Sequence, residues 1–346
     1  MTGNIDKRNN LIDILKGLCI LMVIVTHCNW SDDQRRFFLF PFWIDMAVPI
    51  FMLITGYVYT KSFIKNEIET LDDAYNKKYL IKNFIRYTVP YIIAFAIVFI
   101  AYAISYFRHS SSIKSLAVLG AYTFFRGGAG PGSYYYPIMI QVIIIFPIIF
   151  MLVRRHGFKG VLITAFIALF LELTKNPYFL TAEQYRLLLF RYFLLLSFGS
   201  YFALNKMKQK TWVISIIGFF FIILFNYTHF TPKLFKWWTG TSMLPVLFIV
   251  PFFAFFVERK GHCRFIEIIG RASYNIFLTQ MVFFDLCYRH KIILSEKIEN
   301  AIFNSLISVI ICLTAGLLFY KVESIITQRI ILLALKKTGN PIKTPR

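Results

Sequence analysis

Apolar runs separated by short polar or basic segments divide the chain at roughly 11–29, 39–60, 83–106, 134–153, 160–174, 187–204, 212–228, 242–257, 270–289 and 301–333. Most approach or exceed the roughly 18 residues that cross about 30 Å of hydrocarbon as a helix. They do not alternate apolar with polar, which argues against the strands of a membrane barrel. Backbone groups in lipid must be satisfied within the segment, so these runs predict helices. The last run is too long for one crossing and is expected to continue as a basic helix. A shorter apolar stretch, 115–125, is expected at the membrane interface. No internal repeat is visible. The pattern predicts an all-α, polytopic integral membrane protein of about ten transmembrane helices. It forms one transmembrane domain over 1–335 and ends in a polar basic tail over 336–346.

Composition agrees with this reading. The 346 residues are 58% hydrophobic, above the roughly 45–50% of soluble domains. The net charge of +21 would suggest nucleic acid in a soluble protein. Here the basic residues lie between apolar runs, so membrane topology accounts for them and no nucleic-acid partner is expected. Segments sharing a side with the N-terminus hold Lys7, Arg8, Lys61, Lys65, Lys77, Lys78, Lys82, Arg154, Arg155, Lys159, Lys206, Lys208, Lys210, Arg259, Lys260 and Arg264, and the tail from Arg329. The opposite loops hold fewer, which places both termini in the cytoplasm of a cell (inner or plasma) membrane. The five cysteines are an odd number, mostly in or beside apolar runs; free thiols are expected rather than a disulfide framework. Lys7 and Arg8 precede an apolar core as in a signal peptide, but no small-x-small site follows. The first run is therefore expected to stay as a transmembrane helix.

Within that first run, "DILKGLCILMVIVTH", three ionisable groups interrupt the apolar residues. Lys16 and His27 are 11 residues apart, about three helical turns, so they share a face roughly 16 Å apart along the axis. Asp13 lies one turn before Lys16 on nearly the same face. An ionisable group facing lipid costs at least a few kcal/mol, so the stripe should face a polar cavity. The plainer alternative is an Asp13–Lys16 interfacial anchor, with Lys16 snorkelling and His27 near the headgroups.

"LIDILKGLCILMVIVTH" resembles the opening of the membrane-bound acyltransferase family 3, whose members typically read Asp-x-x-Arg-Gly and then an apolar run ending in His. "WIDMAVPIFMLITGYVYTKSF" is similar to the family's Val-Pro-x-Phe-x-x-Ser-Gly-Tyr segment, with Thr55 in place of Ser. "YLIKNFIRYTVPY", "GPGSYYYPIMIQVIIIFPII", "IGRASYNIFLTQM" and "FYKVES" resemble further family segments in the same order, spanning residues 11 to 323. Two departures stand out. Lys16 replaces the usual Arg and loses its planar fork. Gln280 stands where many relatives have His, and it cannot titrate.

The resemblance implies an acyl-CoA-dependent O-acyltransferase that moves acetyl from cytoplasmic acetyl-CoA, a co-substrate, onto a hydroxyl of a cell-surface or lipid-linked glycan. No metal is implied. An alcohol needs a base to become a good nucleophile, and His near neutral pKa suits that task. His27 is the expected general base or, alternatively, a covalent acyl carrier. Lys16 is the expected donor to an anionic or carbonyl part of the acyl-CoA, with Asp13 orienting it. Lys77, Lys78 and Lys82 could draw in its phosphates or simply mark topology, while Arg86, at the entry to the third run, is a candidate phosphate contact or a headgroup anchor. Gln141, Arg191, Gln280, Tyr135 and Glu323 are further candidate substrate contacts. For Glu323 the plainer alternative is a pair with Lys321 or an Arg; Ser273 and Asn275 are read as structural. Tyr134 to Tyr136 could stack on sugar faces. The Gly-rich loop 127–133 follows no strand, so a flexible loop is favoured over a phosphate cradle. His109, His156, His229, His262 and His290 fall in predicted loops without metal-ligand spacing. The alternatives are a transporter or flippase for a lipid-linked glycan, a succinyl-transferring relative, or a membrane scaffold. The first would show two related halves, and none is visible. Oligomeric state is not legible.

Overall fold

In the computed structural model, residues 10–109, 112–175, 181–205, 212–228, 230, 241–289 and 298–337 are described. Lys7, Arg8, Lys206, Lys208, Lys210, His229, His290 and the tail from residue 338 lie outside them. In chain order the helices are α1 (Asn10–Thr26), α2 (Asp32–Phe37), α3 (Ala47–Lys65), α4 (Leu71–Ala74), α5 (Lys77–His109), α6 (Ile113–Phe125), α7 (Tyr135–His156) and α8 (Phe158–Lys175). They continue as α9 (Ala182–Arg186), α10 (Phe193–Leu204), α11 (Trp212–Tyr227), α12 (Ile249–Val257), α13 (Arg264–Arg271), α14 (Ser273–Arg289) and α15 (Ile298–Lys337). No strand occurs among the described residues.

Each predicted run contains helix, and the protein is an all-α membrane protein. Four segments, Phe40–Lys65, Leu71–Ile104, Tyr135–His156 and Ala301–Lys336, are long and apolar enough on their own to cross a membrane. Shorter apolar helices accompany them. α15 runs unbroken for 40 residues, about 60 Å at 1.5 Å per residue, as expected for a last run too long for one crossing.

Four runs are interrupted where a single helix was expected. The run 39–60 begins with a 3₁₀ turn, Phe40–Phe42, carrying Pro41 in its first turn, and α3 starts only at Ala47. Leu39 before it adopts a left-handed conformation, φ 54°. A 3₁₀ turn, Leu189–Tyr192, precedes α10, and another, Pro245–Phe248, precedes α12. The run 270–289 is broken at Ala272, between α13 and α14.

Small residues let helices touch backbone to backbone, the usual basis of association in lipid. α3 crosses α10 where a Cβ on Gly56 would lie 2.2 Å from the Leu196 carbonyl oxygen, and one on Gly199 would lie 2.1 Å from that of Leu53. Beside this crossing Thr60 Oγ1 donates to Ser200 Oγ at 2.8 Å. α1 meets α13 in the same way, with Gly270 against the Asp13 carbonyl and Gly17 against that of Ile266. Outward-facing Ile302, Phe303, Leu306, Ile310, Leu318 and Val322 on α15, and Ile216, Phe219 and Phe220 on α11, are exposed. They form the apolar surface a lipid environment covers.

Candidate active site

Two cavities lie along the polar stripe of α1, one toward each end. The first, about 100 Å³, is lined by Lys16, Arg86, Arg271, Ser273, Tyr59, Tyr135 and Tyr274, among others. The second, about 300 Å³, is lined by His27, Thr26, Asp45, Arg191, Tyr134, Tyr192, Asn226 and Thr241. Phe277 lines both. Its ring lies 4.7 Å from that of Tyr135, centroid to centroid, so these two rings form the partition.

The Lys16 cavity sits over a chain of charges. Asp13 is buried and lines neither cavity. One of its oxygens is 4.0 Å from Lys16 Nζ, and the other is 3.6 Å from Arg271 Nε. Arg271 Nη2 also lies 3.5 Å from buried Glu267, which His262 Nδ1 approaches to 2.6 Å. His262, in the loop before α13 as expected, thus contacts the end of this chain through Glu267. The close α1–α13 approach at Gly270 is what brings Arg271 to Asp13. Arg86 reaches the same cavity from α5, and among the described residues no carboxylate pairs with it. Three cations thus line or adjoin this space against two carboxylates, Asp13 and Glu267. The buried Tyr59 hydroxyl at its wall has no hydrogen-bond partner among the described residues.

The His27 cavity is built where α1 ends. His27 follows its last turn, with its backbone N–H donating to the Ile24 carbonyl at 3.2 Å. Its ring meets Phe284 of α14 edge-on at 6.0 Å. No side chain among the described residues hydrogen-bonds that ring. Asp45, from the interrupted stretch before α3, accepts from Thr26 Oγ1 at 3.0 Å and from Arg35 Nη2 at 2.6 Å. Arg35 Nη1 donates to the Thr26 carbonyl at 3.2 Å. This network ties α1's last turn to the stretch entering α3 and so fixes the position of His27.

The remaining predicted residues divide by location. Arg191 lines the His27 cavity from the turn before α10. Gln141 lines neither cavity. Its amide donates to the Leu187 carbonyl at 2.6 Å and accepts from the Leu189 N–H at 3.1 Å, so it holds the turn that carries Arg191. Gln280 also lies off both linings. Its Nε2 donates to the Pro131 carbonyl at 3.1 Å, while its buried Oε1 has no partner among the described residues. Tyr135 lines the Lys16 cavity as part of the partition; Tyr134 faces the His27 cavity, and Tyr136 stacks on Tyr91 at 3.7 Å. Glu323 lines neither cavity. It accepts from Asn275 Nδ2 at 2.8 Å and from Thr327, not from Lys321. Two residues along a helix is about 200° of rotation, which turns Lys321 away.

The Gly-rich loop packs into the bundle and is not left free. Gly130 and Gly132, at φ of 92° and 84°, press on the Met281 carbonyl and the Phe277 ring, where a Cβ would lie 2.4 and 2.7 Å away. Sequence reading missed Asp45, Arg35, Arg271 and Glu267. The signal present was a charge inside or at the edge of an apolar motif, in "WIDMAVP" and "IGRASYN".

The acyltransferase domain family model matches residues 9–321, most of the chain, and the chain belongs to that family. No curated protein and no solved structure matches it.

Proposed function

We propose that this membrane acyltransferase takes acetyl from cytoplasmic acetyl-CoA and places it on a hydroxyl of a cell-surface or lipid-linked glycan. The observation that carries this reading is the shared partition. A cation-lined cavity and a histidine-lined cavity stand back to back on one helix stripe, with Phe277 in the wall of both. The three cations match the phosphates of an acyl-CoA, for which Arg forks and a Lys ammonium are suited. In this reading the Lys16 cavity faces the cytoplasm, as the basic-residue bias suggests, and the His27 cavity faces the acceptor.

The chemistry balances within these groups. His27, whose ring nitrogens no side chain among the described residues occupies, takes the proton of the acceptor hydroxyl. The oxygen attacks the thioester carbonyl, the new C–O bond forms and the C–S bond breaks. The proton passes to the departing thiolate, releasing free CoA thiol. In the alternative route a His27 nitrogen accepts the acetyl group first and the hydroxyl then removes it. Asp13 acts by holding Lys16 and Arg271. Gln280, one turn from Phe277 and off both linings, acts through the Pro131 carbonyl that its Nε2 holds, steadying the Gly-rich loop beside the partition.

The test uses membranes containing the protein, acetyl-CoA labelled in the acetyl group, and label recovered in surface glycan. His27→Ala is expected to abolish transfer, and Lys16→Ala to raise the KM for acetyl-CoA. Full transfer by His27→Ala would overturn both routes. Label from succinyl-CoA but not acetyl-CoA would reassign the donor. Movement of glycan without label would favour a flippase.

A further inference from the structure

The His27 cavity contains a cation that acyl transfer itself does not require. Arg191 projects from the turn Leu189–Tyr192, which the Gln141 amide clamps on its approach. Its guanidinium carbon lies 5.2 Å from the ring centre of Tyr185 and 4.9 Å from that of Tyr192. Stacking on these rings orients the fork and leaves its N–H edge for polar contacts. Among the described residues, no carboxylate forms an ion pair with Arg191 and no acceptor hydrogen-bonds it. The nearby buried acid, Glu172, accepts the Tyr185 hydroxyl at 2.8 Å and attracts Arg191 from beyond ion-pair distance, outside the cavity lining. Asp45, the acid in the cavity wall, is matched by Arg35 and Thr26.

An arginine held rigid within a membrane protein without an ion-pair partner costs several kcal/mol unless a polar cavity or ligand compensates it. The rest of the wall suits a sugar: Tyr134 offers an aromatic face, and Asn226, whose Nδ2 is held by the Ile222 carbonyl, offers its amide oxygen. At about 300 Å³, the space falls at the lower end of the roughly 300–1,000 Å³ range of ligand pockets. It fits one sugar-sized unit rather than an extended chain.

We infer that the His27 cavity selects an acceptor carrying an anionic oxygen group, a sugar carboxylate or sugar phosphate, gripped by Arg191. The inference rests on the transferase reading for its acceptor, and its test separates the two. The full chain is placed in nanodiscs of phosphatidylcholine, which removes anionic lipid headgroups as competitors. Acceptors are methyl β-glucoside, methyl β-glucuronide and glucose 6-phosphate, with labelled acetyl-CoA as donor. Wild type is expected to favour the carboxylate or the phosphate sugar over the neutral one by at least roughly tenfold in kcat/KM, through KM, as for hydrogen bonds to a charged group. In Arg191→Gln that ratio should fall toward one; Arg191→Lys, which keeps charge without the fork, should restore part of it.

Equal use of neutral and anionic acceptors by wild type overturns the inference. So does an unchanged ratio in Arg191→Gln with kcat lowered for all acceptors, which would make Arg191 a stabiliser of the transfer step. A second readout needs no turnover. Methyl β-glucuronide or glucose 6-phosphate should raise the thermal midpoint of wild type but not of Arg191→Gln. That shift without any label transfer would retain the anion site while removing the transferase reading. No shift with either anion removes the site.

Discussion

Asp45 shows how one side chain can set the geometry of a proposed reaction centre that its position in the sequence did not link it to. It joins Arg35 and Thr26 at the end of α1, immediately before His27. Asp45→Asn should lower stability by about 1–2 kcal/mol, because the pair is only partly buried. It should lower kcat more than the KM for acetyl-CoA. Thermal melts and transfer kinetics on the same preparation would show it; a raised donor KM at constant kcat would argue against positioning. Gln141→Ala removes both backbone contacts to residues 187–189 and should cost about 1–3 kcal/mol, seen as a lower thermal midpoint. Asp13, Lys16 and His27 were legible in the sequence because charges at helical spacing stand out in an apolar run. Arg271 and Glu267 were not. Their role depends on α13 lying against α1, and periodicity within one segment does not say which segments touch. Gln141 looked like a substrate contact for the same reason: its partners belong to a different stretch of chain.

At the scale of elements, the apolar pattern gave helix existence well and helix continuity poorly. Pro41 and the left-handed Leu39 interrupt a run whose hydropathy alone reads as continuous. A left-handed residue with a Cβ stores about 1–2 kcal/mol. Leu39→Gly should therefore be neutral or stabilising by up to about 1 kcal/mol despite the loss of a large side chain, since Leu39 is half-exposed. Denaturation midpoints would decide this, and a marked loss of stability would mean the side chain is needed. The α1–α13 approach predicts the opposite sign. A Cβ on Gly270 would lie 1.8 Å from the Asp13 carbonyl oxygen, so Gly270→Ala should destabilise by about 1–3 kcal/mol or more. By moving Asp13 it should also raise the KM for acetyl-CoA. A glycine in "IGRAS" did not disclose that demand, because its neighbour is some 250 residues away in the chain.

For the whole molecule, the order of the motifs pointed to the family, which the family model shows, and the apolar runs pointed to the helical class. What they left open was the enclosed space, which forms only when α1, α3, α5, α7, α11, α13, α14 and the turn before α10 come together. With the two cavities opening to opposite faces as proposed, the bilayer's insulation at this point comes down to an aromatic partition. Phe277 and Tyr135 must then do the work of a septum, holding back protons and small ions while admitting a thioester arm. Shaving Phe277 to glycine should cost about 3–5 kcal/mol as a buried large-to-small change, and the protein that remains folded should be electrically leaky. Liposomes carrying Phe277→Gly should lose an imposed pH gradient faster than those carrying wild type. If the proposed transfer runs across an energised membrane, the bulk of that ring would guard the voltage as well as the reaction.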